Sequence, residues 1–306
     1  MLEIRVAETD EDVQACLDLI ASLYPNRAMV LDEVREFEAS VPDQTRFQAL
    51  DEGRFVGTAS ILAEPRLRER RGAHASIVAA RDERGRGVGT GLYRAVSEWA
   101  RGRELEELEG AVKEGEDESL RWVERRGFAE TTRDSLLILE LGEVQALPVD
   151  PPTGIEIVSW AGRPELTEGM YEVACEAYPD IPGNEDDVME SLDEWLTHDM
   201  TGPGDFPEAT FVALAGDEVV GWAKFSLTRA QPTMAWHDVT GVKRAWRGRG
   251  IAGALKRAEI AWAKAQGYER LQTMNEERTA PIRKLNERYG YRLAPGRVFV
   301  VGPLAQ

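Results

Sequence analysis

Two short stretches decide the fold: RGRGVGTGL at Arg84–Leu92 and RGRGIAGAL at Arg247–Leu255. They stand 163 residues apart, and the later pairs Gly127-Phe128 and Gly290-Tyr291 keep the same separation. Between these anchors Leu92/Leu255, Arg94/Arg257, Trp99/Trp262, Glu106/Glu269 and Arg125/Arg288 match without a gap. A 306-residue chain whose second half repeats its first is a duplication of one whole unit, too long for a solenoid repeat. The expected division is a domain over residues 1–147, a linker over 148–154 and a domain over 155–306. Pro148, Pro151, Pro152 and Gly154 give that linker its turn chemistry.

Each half is of ordinary domain size and able to bury its own core. The apolar fraction of 42% suits a globular chain, and no apolar stretch approaches the length of a membrane span. The start, MLEIRVAETDEDVQ, lacks the basic-then-apolar pattern of a signal peptide. Cys16 and Cys175 are too few for a disulfide framework, so a reduced, cytoplasmic protein is expected. A formal charge of −18 argues against nucleic acid as the partner and is compatible with a cationic small substrate.

The halves follow one order. A short strand (LEIRVA, GIEIVSW) precedes an amphipathic helix ending in Tyr24-Pro25 or Tyr178-Pro179, and a second helix follows (LDEVREFEAS, EDDVMESLDEWL). Alternating strands then flank acidic-glycine turns at Asp51-Glu52-Gly53 and Gly216-Asp217-Glu218. Another strand leads into the glycine run and a helix with apolar Ile251, Leu255, Ala258 and Trp262. Strand, helix and strand close each half, the last as LQTMN, APIRKLNERYG and RVFVVG. Strand meanders mixed with crossover helices imply α/β layers around a mixed central sheet. The basic run RLRERRG (Arg66–Gly72) reads as a solvated hairpin.

The glycine run admits several readings. A Walker A loop needs Lys-Ser/Thr after its last glycine, and neither copy has it. A dinucleotide fingerprint fits only Gly248-x-Gly250-x-x-Gly253; the other copy has Leu92 where the last glycine belongs. An RGG-type RNA contact needs a low-complexity tract rather than a helix start. The remaining reading is an anion cradle at a helix N-terminus, where glycines let successive N–H groups converge and the macrodipole adds to the attraction. Lys243, Arg244, Arg247 and Arg249 would add positive charge.

Both copies, Arg84-Gly85-Arg86-Gly87-Val88-Gly89 and Arg247-Gly248-Arg249-Gly250-Ile251-Ala252, resemble the pyrophosphate-binding motif A of the GNAT-type N-acetyltransferases. The endings ERRGF and NERYGY resemble the family's Tyr-x-x-x-Gly-Phe/Tyr. The resemblance covers nearly the whole chain as two tandem GNAT units, an arrangement similar to that of the mycothiol synthases. It implies acetyl-CoA as co-substrate, no metal, and direct attack of a small primary amine on the thioester, and the acidic charge balance leans toward a cationic amine. It also implies that the strand before motif A splays from its neighbour. A non-catalytic acyl-CoA sensor or scaffold would use the same loop.

Carried onto this sequence, the resemblance assigns coenzyme contacts to Thr240, Val242, Asn275 and both glycine loops. Period-two alternation then puts Asp238 and Thr240 on the same side as Val242. Asp238 is the candidate base, as the strand carboxylate that takes the ammonium proton. His237 is expected to face the other way, with His74 as its counterpart. The acid's place, usually Tyr, is held by Asn286, with Tyr289 and Tyr291 off that register. Moved back by 163 residues, Asp238, Thr240, Asn275 and Asn286 fall on Ala75, Ile77, Val112 and Val123. The first unit is therefore expected to be catalytically silent while keeping its cradle, unless it uses unrelated groups such as Glu8 or Glu52.

Overall fold

The computed structural model describes all residues except 42, 64–70, 146, 182–188 and 277–279. The chain forms two compact units, Met1–Arg133 with Pro295–Gln306, and Asp134–Ala294. Each is a mixed six-stranded sheet with helices on both faces. The run Arg66–Gly72 lies mostly outside the described residues.

The first unit contains β1 (Leu2–Val6), α1 (Asp10–Leu23), α2 (Leu31–Ser40), β2 (Gln44–Asp51), β3 (Arg54–Leu62), β4 (Gly72–Ala79), α3 (Val88–Arg101), β5 (Glu107–Lys113) and α4 (Asp117–Glu124). Its last strand comes from the end of the chain, β12 (Arg292–Pro303). The sheet order is β1-β2-β3-β4-β5-β12. Thr9 starts α1 with a reciprocal cap, its hydroxyl accepting from the Asp12 N–H at 3.1 Å, with three acidic residues in the first turn. Glu52 and Gly53, at φ 51° and 79°, supply the two left-handed positions of the β2–β3 hairpin. On α3 the buried Val88, Leu92, Val96 and Ala100 recur every four residues and pack on Ala49, Val56, Ile61 and Leu108. Val13, Cys16, Leu17 and Val34 of α1 and α2 cover the other face with Ala7 and Phe55.

The second unit contains β6 (Ala129–Glu140), β7 (Glu156–Ser159), α5 (Thr167–Ala177), α6 (Leu192–Trp195), β8 (Asp205–Ala215), β9 (Glu218–Leu227), β10 (Met234–Val242), α7 (Ile251–Ala265), β11 (Arg270–Glu276) and α8 (Ala280–Arg288). Its order is β6-β11-β10-β9-β8-β7. Helix α7 covers one face through Ile251, Leu255, Ala258 and Ile260, and α5 and α6 cover the other through Met170, Val173 and Trp195. The helix expected over 185–196 is described only from Leu192, and it runs on as a wide π turn over Leu196–Met200.

The units differ from the contiguous halves expected on either side of residues 148–154. That segment belongs to the second unit, where Arg257 donates to the carbonyls of Val149 (2.8 Å) and Asp150 (2.8 Å). The closing strands are exchanged: β12 pairs with β5 (Arg297↔Lys113) and β6 pairs with β11 (Asp134↔Glu276). Duplication makes the two strands equivalent in pattern, so alternation alone does not tell which sheet each joins. Packing does. Gly302 of β12 lies under the Phe128 ring so closely that a Cβ would stand 2.3 Å from it. The equivalent of Gly302 is Leu139, which is buried in one cluster with Tyr291, the equivalent of Phe128.

Candidate active site

In both units the strand before the glycine run parts from its parallel neighbour. In the second unit β10 pairs with β11 only over Met234–Trp236 with Arg270–Gln272, and then diverges. In the first, β4 pairs with β5 only over Gly72–His74 with Glu107–Glu109. The Lys243 N–H donates to Val220 of β9, so the alternating backbone groups of Thr240 and Val242 face the open side. A splayed strand with free edge groups therefore runs into each glycine loop.

The loops share one conformation. Gly248 and Gly250 have φ of 74° and 90°, and Gly85 and Gly87 have φ of 78° and 91°. These left-handed values fit glycine and strain any other residue. Gly250 and Gly87 are the N-caps of α7 and α3 with no side-chain cap, which leaves first-turn N–H groups without a side-chain acceptor. Ile251 and Val88, buried behind the loops, pin the two helix starts. A Cβ built on Gly248 would meet nothing within 4 Å, and one on Gly250 only Pro152 Cγ at 3.8 Å. Neither glycine is crowded on its Cβ side.

The flanking cations are mostly occupied, which corrects the expectation of a bare positive spot. Lys243 pairs with Glu172 (2.9 Å) and Glu218 (3.3 Å), and Asp180 holds both Arg244 (2.7 Å) and Arg247 (2.6 Å). Those two arginines keep the Asp180 carboxyl down at about 2. The Arg247 Nε also donates to the Val242 carbonyl at 2.9 Å, leaving the Val242 N–H as that residue's open group. Arg249, over the Trp246 ring, makes no ion pair among the described residues. In the first unit Arg86 pairs with Glu83 (3.3 Å) and Arg84 lies 3.8 Å from Glu116. Gly89 packs on Trp122.

A β-bulge rearranges the candidate base. The β9–β10 register shifts between His237 and Val239, so Asp238 is an extra residue in the ladder. Thr240 and Val242 face α7, as expected, but Asp238 faces α5 and α6. Its carboxylate pairs with Lys224 Nζ at 3.0 Å and accepts from Ser226 at 3.1 Å. Lys224 stands on the face of β9 whose Trp222 donates to Met170 of α5. The same bulge revises the repeat. Trp236 is the structural equivalent of His74, His237 that of Ala75, and Asp238 has no equivalent in β4.

Around Asp238 lie residues that sequence reading passed over. Lys224 is bracketed by Asp205 (2.5 Å) and Asp238, and it donates to the Asp199 carbonyl in the π turn. Burial pushes the Asp205 carboxyl up, and Lys224 pulls it back. Tyr178, which accepts from Trp195 Nε1 at 3.2 Å, is pushed far up by burial and by Asp199. These four residues come from separate elements, and no motif spacing connects them.

On the α7 face, Asn286 donates to Asn275 at 2.8 Å and both are buried. Asn286 thus orients Asn275. Tyr289 donates to the Gly253 carbonyl (3.1 Å) and steadies the first turns of α7. Tyr291 belongs to a buried polar group with His237, Lys256 and Glu259. His237 Nδ1 lies 3.2 Å from Glu259, and Lys256 lies 3.9 Å from it. Burial pushes the Glu259 carboxyl up to about 8 and drives the His237 imidazole well below its ordinary range. An apolar hollow of about 440 Å³, lined by Val149, Pro151, Ile155 and Phe211, touches none of these residues.

The comparisons agree with this geometry. The model of the acetyltransferase (GNAT) family matches residues 13–128 and 167–291. A GCN5-related N-acetyltransferase from Sphaerobacter thermophilus aligns over 100% of this chain and 96% of its own, with TM-score 0.77 and 22% identity. A tandem GNAT protein from the clavulanic acid biosynthesis pathway aligns over 100% and 99%, with TM-score 0.80 and 19% identity. No match is found among curated protein sequences. Fold and site define a tandem acyl-CoA-dependent acyltransferase. The chain belongs to the acetyltransferase (GNAT) family. Among the described residues there is no metal-binding cluster and no helix long and apolar enough to cross a membrane.

Proposed function

We propose that the second unit transfers an acetyl group from acetyl-CoA to a small cationic primary amine and that the first unit is catalytically silent. The supporting observation is that only the second unit pairs a glycine cradle with a carboxylate bulged out beside the splay. The Gly248–Ala252 backbone and Arg249 would hold the diphosphate, the Val242 N–H the pantetheine arm, and Asn275, fixed by Asn286, its thioester end. Acetyl-CoA supplies the activated acyl group.

The chemistry left to the chain is positioning and proton transfer. The amine approaches on the α5–α6 face, where the two carboxylates Asp238 and Asp205 outnumber the single cation Lys224 and leave net negative charge for a cation. Asp238 takes the ammonium proton, directly or through water, as the nitrogen–carbonyl bond forms and the carbon–sulfur bond breaks. Lys224 holds Asp238 in place through the 3.0 Å contact. With Asn286 buried against Asn275, no side chain among the described residues here serves as a phenolic acid, and the thiolate leaves to be protonated by water. The first unit has no residue at the bulge, and Val112 and Val123 replace the asparagines.

The test is acetyl-CoA turnover by the full-length chain with a panel of amines. At least one small cationic amine should be acetylated. Asp238→Asn should lower kcat by about 10²-fold or more with the KM for acetyl-CoA unchanged. Tight CoA binding with no turnover of any amine would favour a sensor or scaffold instead.

A further inference from the structure

Strand β10 has to change face partway along, and its apolar pattern leaves open where. Ala235 and Val242 are both buried against α7, yet they stand an odd number of positions apart. Strict alternation would put them on opposite faces, so one extra residue must enter the ladder between them. The first unit needs no such change. Ala73, Ala75, Ile77 and Ala79 of β4 all pack with the apolar side of α3, and the β3–β4 register runs unbroken.

His237 decides where the change falls. It is 3% exposed, and its ring centroid lies 4.5 Å from that of Phe225, its partner across the ladder, and 5.7 Å from that of Tyr291. Its Nδ1 lies 3.2 Å from the Glu259 carboxyl of α7, and neither ring nitrogen makes an aligned hydrogen bond among the described residues. A buried polar ring with no polar neighbour is costly, and Glu259 is the group that meets it. Burial raises the Glu259 carboxyl to about 8 and lowers the His237 imidazole, so at neutral pH a protonated carboxyl faces a neutral ring. With His237 kept on the α7 side, the extra residue comes after it. Asp238 and Val239 then both turn toward α5, opposite Lys224. Ala75 and Val96 stand at the places of His237 and Glu259 in the first unit, where β4 has no bulge.

We infer that Glu259 and His237 are positioning residues: their contact locks the bulge at Asp238 and keeps its carboxylate on the α5–α6 side of β10. The effect of this lock on rate rests on the proposed role of Asp238. Its effect on the β9–β10 register does not.

The experiment compares crystal structures and steady-state kinetics of full-length wild type, Glu259→Val and Glu259→Gln. Glu259→Val strips the polar neighbour from His237. The register shift should leave Asp238, the Lys224–Asp238 contact should be lost, and kcat should fall about 100-fold with the KM for acetyl-CoA unchanged. Glu259→Gln keeps an amide N–H for Nδ1 and should retain both the shift and the rate. Should Glu259→Val not fold, His237→Ala removes the other half of the contact and should release the shift likewise. The lock is refuted if Asp238 remains the extra residue beside Lys224 in the folded variant, or if Glu259→Gln loses the register as Glu259→Val does. A register that moves while kcat stays the same upholds the lock and refutes the role of Asp238. A wild type that acetylates no amine also refutes that role, and the crystal register still decides the lock.

Discussion

Where the closing strand meets the strand behind each splay, the first unit opposes Arg297 to Lys113 and the second opposes Asp134 to Glu276. The contrast continues inward. The second unit buries Lys256, Glu259, Tyr291 and His237 at positions where the first has Tyr93, Val96, Phe128 and Ala75. Buried ionisable groups are costly, and a duplicated fold that carries them in one copy alone does not need them to fold. The cradle loops, by contrast, are the same to within a few degrees of φ. Loop geometry is common to both units, and the residues around the splay separate them.

The largest effect expected is on folding. A fragment of residues 1–147 lacks β12 and one of 155–306 lacks β6. If 155–306 closed on its own β12, Gly302 would take the place of the buried Leu139. Loss of a buried Leu costs about 2–5 kcal/mol even when Ala remains. Neither fragment should melt cooperatively, whereas Asp134–Ala294 should. A cooperative melt with CoA binding by 155–306 would show that the exchange is dispensable.

Next comes the cradle. Gly250→Val and Gly87→Val impose the same backbone strain, with open space around both glycines. The first should reduce acetyl transfer on the order of 100-fold, and the second should leave most of it. Steady-state rates of the two full-length variants decide the matter, and the reverse order would move catalysis to the first unit.

Lys224→Met strips the cation from between Asp205 and Asp238 and leaves the half-buried Asp205 with only the Gly202 N–H as its partner among the described residues. A loss of about 3–5 kcal/mol in denaturant unfolding is expected. The equivalent residue in the first unit is Ser60, and Ser60→Ala should change stability by less than about 1 kcal/mol.

The smallest effect concerns pH. Glu259 is raised from 4.5 to about 8, so its contribution to stability is full below 4.5 and fades as pH rises through about 8. His237 and Lys256 are lowered and act in the opposite sense, His237 mainly below 6.5. Glu259→Gln should therefore remove a fall of roughly 1 kcal/mol per pH unit, most cleanly between about 6.5 and 8. Unfolding free energies measured across that window, with Val96 variants of the first unit as the pH-insensitive reference, test it.

The splay of the strands before the glycine loops was expected only from the family resemblance, whereas the duplication, the mixed sheet with flanking helices and the glycine loops at two helix starts were legible in the residues themselves. They rest on short-range rules, namely period, turn chemistry and glycine at left-handed positions, that hold wherever the segment is placed. Three features were decided by tertiary structure. The 163-residue offset set Asp238 against Ala75, but a bulge makes Asp238 an extra residue, because pairing with β9 rather than sequence spacing fixes the register. Three acidic residues, Glu172, Asp180 and Glu218, neutralise the basic spot around Arg247 from positions with no spacing relation to it. The closing strands exchange because two copies of one alternating pattern fit either ladder. The contact of Gly302 with Phe128, and that of Leu139 with the Tyr291 cluster, select between them only once the side chains meet.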